Sequence, residues 1–413
     1  MSHPATTHGG RARVVERHEY LARRLDELMA LRTQANDRFF EAAAEPLARL
    51  CQRVAERFSR GARLIAIGHT PQARSDARHL AVEFVHPVIV GKRALPAIAL
   101  TGADGALREH VELTAEPQDV VIAFGCEQQT VAALGAATRR GCLTAAFDPI
   151  GAEWELEPPV ADPLVRQELI ETAYHLLWEL VHVFFEHRDK LCGRQAGSSQ
   201  HPGASSFLYP FLVEGERDEE RVIGDVRGSI RLKAHEIGAL RAQTLREGRD
   251  VLLAAATVLR ENLDAGATVL ALGNGGSATD AMDVVADLRD PSGRWSARRA
   301  IDLTEDSAIL TAIANDIGVE AMFRRQVIAY GREGDVLLAF STSGGSVNVI
   351  EALTEARGRG LTTIAMVGYD GGRIAADGLA DHVLVTRSEH IPRIQEAQAS
   401  AWHVLRELLE AAA

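Results

Sequence analysis

Residues 270–283 read LALGNGGSATDAMD, and residues 337–353 read LLAFSTSGGSVNVIEAL. Each is a short apolar run, a turn rich in Gly and Ser, and the start of a helical pattern. Such runs predict buried strands of a parallel sheet. Gly273, Gly275 and Gly276 let the first turn tighten and approach a ligand. Asn274 and Ser277 place polar groups at the following helix N-terminus. In the second turn Ser341, Thr342, Ser343 and Ser346 put four hydroxyls around one helix start. Free N–H groups and the helix dipole attract an anion there. A phosphate monoester can be held this way without a lysine. One serine would satisfy a cap, and this cluster exceeds that need. Neither turn is the dinucleotide GxGxxG or a P-loop, so no nucleotide cofactor is expected.

The same order of elements appears twice around these loops. Candidate strands in the second half are 268–273, 299–303, 335–342, 362–368 and 382–386. In the first half they are 63–68, 96–101, 119–125 and 143–148, with a fifth near 154–160. Long helical patterns open the halves at 12–60 and 221–264 and close them at 163–187 and 392–412. The expected fold is α/β: two tandem three-layer αβα sandwiches, each with a mainly five-stranded parallel sheet. The expected domains are 1–190 and 221–413, joined by a linker or strap at 191–220 that carries the apolar patch Phe207, Leu208, Tyr209 and Phe211. The halves also match in detail. Asp76-Ala77-x-His79-x-x-x-Glu83 parallels Asp280-Ala281-x-Asp283-x-x-x-Asp287, DVVIAF at 119–124 parallels DVLLAF at 335–340, and Gln167-x7-His175 parallels Gln395-x7-His403. Three matches in one order imply an internal duplication.

The chain has 413 residues and a formal charge of −12. Its composition is that of an ordinary globular protein of two or three domains. The negative balance argues against a broad nucleic-acid-binding face. Cys51, Cys126, Cys142 and Cys192 form no metal-type pair and read as small buried hydrophobes in a reducing cytoplasm. No apolar run is long enough for a membrane span, and the N-terminal stretch lacks the apolar core of a signal peptide. A cytoplasmic location is the expectation.

The second half resembles the SIS (sugar isomerase) domain, and more narrowly the phosphoheptose isomerases. The resemblance rests on GNGGSATDA, Asp306 ahead of Asn315-Asp316, REGDVLLAFSTSGGSVNVIEAL, VGYDGG, RIQE and His403. It implies a sugar-phosphate site and assembly of the tandem chain into a homo-oligomer, a dimer resembling a tetramer of single domains. Phosphate contacts would come from Asn274, Gly275, Gly276, Ser277, Ser341, Thr342, Ser343 and Ser346, and further substrate contacts from Asp306 and Gln395. The first half resembles the family more weakly, as a degenerate copy.

Aldose–ketose isomerisation moves a proton between C1 and C2 through an enediol, so it needs a base, an acid or a metal that polarises the carbonyl oxygen. The resemblance assigns these roles to a helix with His-x-x-x-Glu and a helix with Gln-x7-His, and some members bind zinc through them. The catalytic candidates are therefore Glu83, His175, Asp287 and His403. A divalent metal, zinc foremost, would take His79, Glu83, Gln167 and His175, or Asp283, Asp287, Gln395 and His403. In the second half Asp283 and Asp287 replace His and Glu, a set suited to a harder metal, and Pro392 stands where the family has an aspartate. In the first half GHTPQARSDA and FGCEQQTV replace the phosphate loops, and Glu127 puts a carboxylate where an anion would sit. His79 and Glu83 alone would read as a helix-surface pair, and His182 and His187 as surface or interface histidines. Each half keeps what the other lacks, so the halves are expected to be complementary.

Three functions remain open on sequence. One is an isomerase of sedoheptulose 7-phosphate or a related phosphosugar. Another is a sugar-phosphate-binding sensor without turnover, which the shortened carboxylates favour. The third is an SIS-fold assembly factor, against which the retained hydroxyls argue.

Overall fold

Leu64–Gly68 (β1) and Val120–Phe124 (β3) are buried at every residue, as are Val269–Leu272 (β6) and Val336–Ser341 (β8). Strands buried on both faces need helices on both faces, and the computed structural model supplies them. It describes residues 8–88, 92–102, 105–191, 219–291 and 295–411. The expected linker and its aromatic patch lie almost wholly outside these residues.

The remaining strands are Ala97–Leu100 (β2), Leu143–Ala146 (β4), Trp154–Glu155 (β5), Ala300–Asp302 (β7), Thr362–Gly368 (β9) and His382–Thr386 (β10). The helices are His8–Ser59 (α1), Pro71–Val85 (α2), Leu107–Thr114 (α3), Gln128–Arg140 (α4), Pro163–Leu191 (α5), Glu219–Glu247 (α6), Arg249–Asp264 (α7), Gly276–Arg289 (α8), Ser307–Asp316 (α9), Met322–Tyr330 (α10), Val347–Gly358 (α11), Gly372–Ala376 (α12) and Ile391–Ala411 (α13). The single helical pattern expected at 221–264 is thus two helices. They break at Gly248, where a Cβ would collide with Leu384.

Each sheet is five-stranded and parallel. The orders β2-β1-β3-β4-β5 and β7-β6-β8-β9-β10 are the same order repeated, which is the duplication expressed in topology. Alternate residues of a strand face opposite layers. Val269 and Ala271 enter the core with Leu252, Val284 and Trp402, while Leu270 and Leu272 enter the one with Phe323, Val349 and Leu353. The chain leaves β6 for β7 on one side and β8 on the other. This switch of direction opens a crevice at the carboxyl ends of β6 and β8, where parallel sheets bind ligands.

Two compact units form, one of Met1–Gln34 with Ile237–Ala413 and one of Ala35–Glu236. They differ from contiguous halves because the ends of α1 and α6 are exchanged. Leu21, Leu25 and Leu28 of α1 recur at helical spacing and join the core of the 237–413 sheet. In the other unit, Lys233 of α6 bonds Glu179 of α5 at 2.8 Å, and Asn36 Nδ2 donates to Ala234 O at 2.8 Å.

Candidate functional site

The loops after β6 and β8 meet at the crevice. Asn274 and Asn348 join them through reciprocal amide bonds: Asn274 Nδ2 donates to Asn348 Oδ1 at 3.0 Å, and Asn348 Nδ2 donates to Asn274 Oδ1 at 2.8 Å. Asn348 Oδ1 also accepts from the Val349 amide at 3.0 Å, inside the first turn of α11. Sequence reading missed Asn348, although it lies two residues beyond the serine cluster.

The hydroxyls divide into two groups. Ser341 and Ser277 are buried, and Ser341 Oγ accepts from the Gly344 amide at 3.2 Å and lies 3.3 Å from Ser346 Oγ. These bonds fix the loop. Ser343, Asn274, Gly275 and Gly345 are exposed, with Thr342 and Ser346 half-buried, so a polar rim faces outward over the starts of α8 and α11. Neither N-cap residue, Gly275 or Ser346, caps its helix through a side chain. The loop around Ser343 rests on the turn at 368–372. Gly344 has φ +61° and Gly372 φ +53°, and a Cβ on Gly344 would strike Gly371 O. Only glycine permits that approach.

Asp306, an expected substrate contact, stands at a helix start. It is the N-cap of α9, its carboxylate accepting from the Ala308 and Ile309 amides at 2.9 and 3.0 Å. Beside it Asp302, Glu305, Gln326 and Tyr330 help to line a cavity of about 410 Å³.

Asp287 and His403 lie deeper between α8 and α13. Asp287 accepts from Trp402 Nε1 at 2.9 Å and from Arg406 Nη1 at 3.3 Å, and His403 Nε2 is 3.9 Å from its Oδ2. All four side chains are buried. The Asp287 carboxylate is thus held by the Trp402 indole N–H and the Arg406 guanidinium. It also lies eleven residues beyond the first residue of α8, about 16 Å along the axis. Gln395 is buried with Oε1 accepting no hydrogen bond, and Asp280 is buried with Oδ2 in the same condition. Burial, then the charge of half-buried Asp283, pushes Asp280 well above the ordinary aspartate range.

In the unit Ala35–Glu236 the equivalent loops are built differently. Thr70 caps α2, accepting from the Ala73 amide at 3.2 Å, with Pro71 as its first residue. Glu127 occupies the N-cap position of α4, its carboxylate against Gly125.

Deeper in that unit, α2 and α5 bring together His79, Glu83, Glu171 and His175, all buried. One ligand atom each from His79, Glu171 and His175 fall within 4.8 Å of one another. The Nε2 atoms of His79 and His175 are 3.2 Å apart, close to the ~3.3 Å between two imidazole ligands on one tetrahedral zinc. Glu83 Oε1 lies 3.9 Å from His79 Nε2, and Tyr174 Oη is 2.9 Å from His79 Nδ1. Burial, with His175 adjacent, holds His79 well below the ordinary imidazole range. A neutral imidazole is what a metal requires, so these residues fit a divalent ion. Glu171 was missed in sequence, though it stands four residues before His175 on one helix face. Gln167, two turns before His175, is half-buried.

Two minor expectations need correction. His182 is buried, Nδ1 bonding Trp178 O at 2.9 Å and Nε2 bonding Arg93 O at 3.2 Å, because α5 packs on all sides at that level. The side chain of His187 is outside the described residues. Cys126 is exposed at the turn after β3, whereas Cys51 and Cys142 are buried. Among the described residues no helix is long and apolar enough to cross a membrane.

The SIS domain model matches residues 234–368. The phosphoheptose isomerase of Geobacter sulfurreducens is 41% identical over 193 residues, 46% of this chain and 97% of that protein. The phosphoheptose isomerase of Chlorobaculum parvum is 42% identical over 198 residues, 47% of this chain and 90% of that protein. The C-terminal domain of glucosamine-fructose-6-phosphate aminotransferase from Francisella tularensis is only 10% identical, but it shares the fold over 93% of this chain and 94% of its own, with a TM-score of 0.59. A whole phosphoheptose isomerase therefore fits within half of this chain, and with one strand order used twice, the chain belongs to the SIS domain family as a tandem duplication with a degenerate first half.

Proposed function

We propose that the protein is a sugar-phosphate isomerase of the phosphoheptose type, interconverting sedoheptulose 7-phosphate or a closely related phosphosugar with its aldose through an enediol. The observation that carries this reading is the pair of hydroxyl-bearing loops locked together by Asn274 and Asn348 at the sheet's switch point. The phosphate would sit at the starts of α8 and α11, receiving backbone N–H groups and the exposed hydroxyls of Ser343 and its neighbours. The names of the relatives support the substrate class.

The proton-transfer candidates follow from what each side chain is bonded to. Asp287 is engaged by Trp402 and Arg406, so its unit retains His403 as the better candidate for moving a proton. In the other unit Glu83 stands beside a neutral histidine rather than an arginine, which favours Glu83 and His175 as the second candidate set. His79, Glu171 and His175 would hold a divalent ion, zinc by chemistry of the donors. Such an ion, when bound, polarises a carbonyl oxygen.

A second reading is a sugar-phosphate sensor without turnover. It is favoured by the engagement of Asp287 with Trp402 and Arg406 in the unit that carries the phosphate loops. Incubation with sedoheptulose 7-phosphate, followed for aldose formation, separates the two. Product whose rate falls in Glu83→Gln or His403→Gln supports the isomerase. Ligand-induced thermal stabilisation with no product replaces it with the sensor.

A further inference from the structure

We propose that the duplication has segregated two ligands: one divalent cation is bound per chain, in the unit Ala35–Glu236, with Glu171 rather than Gln167 joining His79 and His175 as its carboxylate ligand. This rests on the side-chain geometry of α2 and α5 and stands whether or not the isomerase reading does.

The donors are already arranged for an ion. Two imidazole nitrogens 3.2 Å apart, and a Glu171 oxygen no more than 4.8 Å from a ring nitrogen of each histidine, come from two helices, all buried. Two His and one carboxylate make a set that takes zinc while leaving an open coordination position. Tyr174 supports it from behind. When His79 Nδ1–H donates to Tyr174 Oη, Nε2 of His79 carries its lone pair toward His175 and Glu171, the outer-shell arrangement that fixes the tautomer of a ligating histidine. An ion held there would tie α2 to α5.

The copy in the other unit lacks the set. The repeat puts Asp283 where His79 stands, and Gln-x7-His alignment puts Ala399 where Glu171 stands. Ala399 offers no ligand. Asp287, the counterpart of Glu83, is taken by Trp402 and Arg406. Among the described residues, no cluster of His, Cys, Asp and Glu with ligand spacing occurs in that unit. Conversely, the unit with the cation set has Thr70-Pro71 and Glu127 in place of phosphate loops.

The test uses the full chain, stripped with a chelator and titrated with Zn²⁺ and separately with Co²⁺. Expected are one tight equivalent per chain, the visible absorption of low-coordinate Co²⁺, and a higher Tm with Zn²⁺. Glu171→Gln should weaken Zn²⁺ binding by at least about tenfold and abolish the Tm gain, while Gln167→Ala and Asp283→Ala keep both. Circular dichroism of each variant shows whether it folds. If Glu171→Gln does not fold, the Co²⁺ spectrum of Gln167→Ala against that of the parent decides. Two tight equivalents per chain, no tight equivalent, or loss of the cation in Gln167→Ala overturns the proposal.

Discussion

Asn274 and Asn348, 74 residues apart, bond each other through both amide groups at 3.0 and 2.8 Å. The pair couples the turn after β6 to the first turn of α11. Replacing Asn348 by Ala removes both bonds and leaves the Asn274 amide to water. We expect a loss of about 1–2 kcal/mol in stability and at least about tenfold weaker binding of a phosphosugar. Urea denaturation and calorimetric titration with sedoheptulose 7-phosphate read the two effects.

Ser343 should behave in the opposite way. Its side chain is exposed, and among the described residues its one hydrogen bond is that accepted from the Gly345 amide at 3.2 Å. Ser343→Ala is expected to change stability by no more than about 0.5 kcal/mol while lowering phosphosugar affinity about tenfold. Unchanged affinity would remove this loop from the site.

Gly344 tests the contact between loops. At φ +61° against Gly371, a methyl group meets backbone and cannot move aside. Gly344→Ala should destabilise the protein by about 1–3 kcal/mol and abolish phosphosugar binding with it. Thermal unfolding with and without ligand measures both.

Asp287→Asn keeps the shape of the side chain but removes the charge facing Arg406. The guanidinium keeps Glu410 at 3.2 Å, a half-exposed partner. Because the Arg406 side chain is only 2% exposed, the cost should be about 3 kcal/mol, seen as a lower urea midpoint.

Asp280 gives a pH dependence with a definite sign. Burial raises its folded-state pKa above the unfolded value, Asp283 adding to the shift. Between the two values the native state binds more protons than the unfolded one, so stability falls as pH rises through that window. The effect begins at about pH 4, the unfolded aspartate value. In Asp280→Asn this component should vanish, so its urea midpoint rises relative to the parent as the pH is taken upward from about 4. Equal pH slopes in the two proteins would refute the assignment.

Much of the architecture was legible in the residues. Buried strands such as 120–124 and 336–341 are continuous apolar runs because helices cover both faces, and that requirement is local to the strand. The Gly- and Ser-rich loops were legible for the same reason, since hydroxyls, glycines and helix start lie within ten residues. That Asp306 caps α9 was not legible, because its partners are backbone amides that carry no sequence signature.

The sequence by itself determined the two parallel sheets, their repetition, and which unit carries hydroxyl loops. Tertiary structure decided the rest, through contacts between residues far apart in the chain. It set Asn348 against Asn274 and consumed Asp287 with Trp402 and Arg406. It also brought Glu171 to His79 across 92 positions and exchanged the ends of α1 and α6 between units. Helical spacing marks which residues share a face. Only packing, which depends on the shape and volume of the neighbouring element, decides what that face meets.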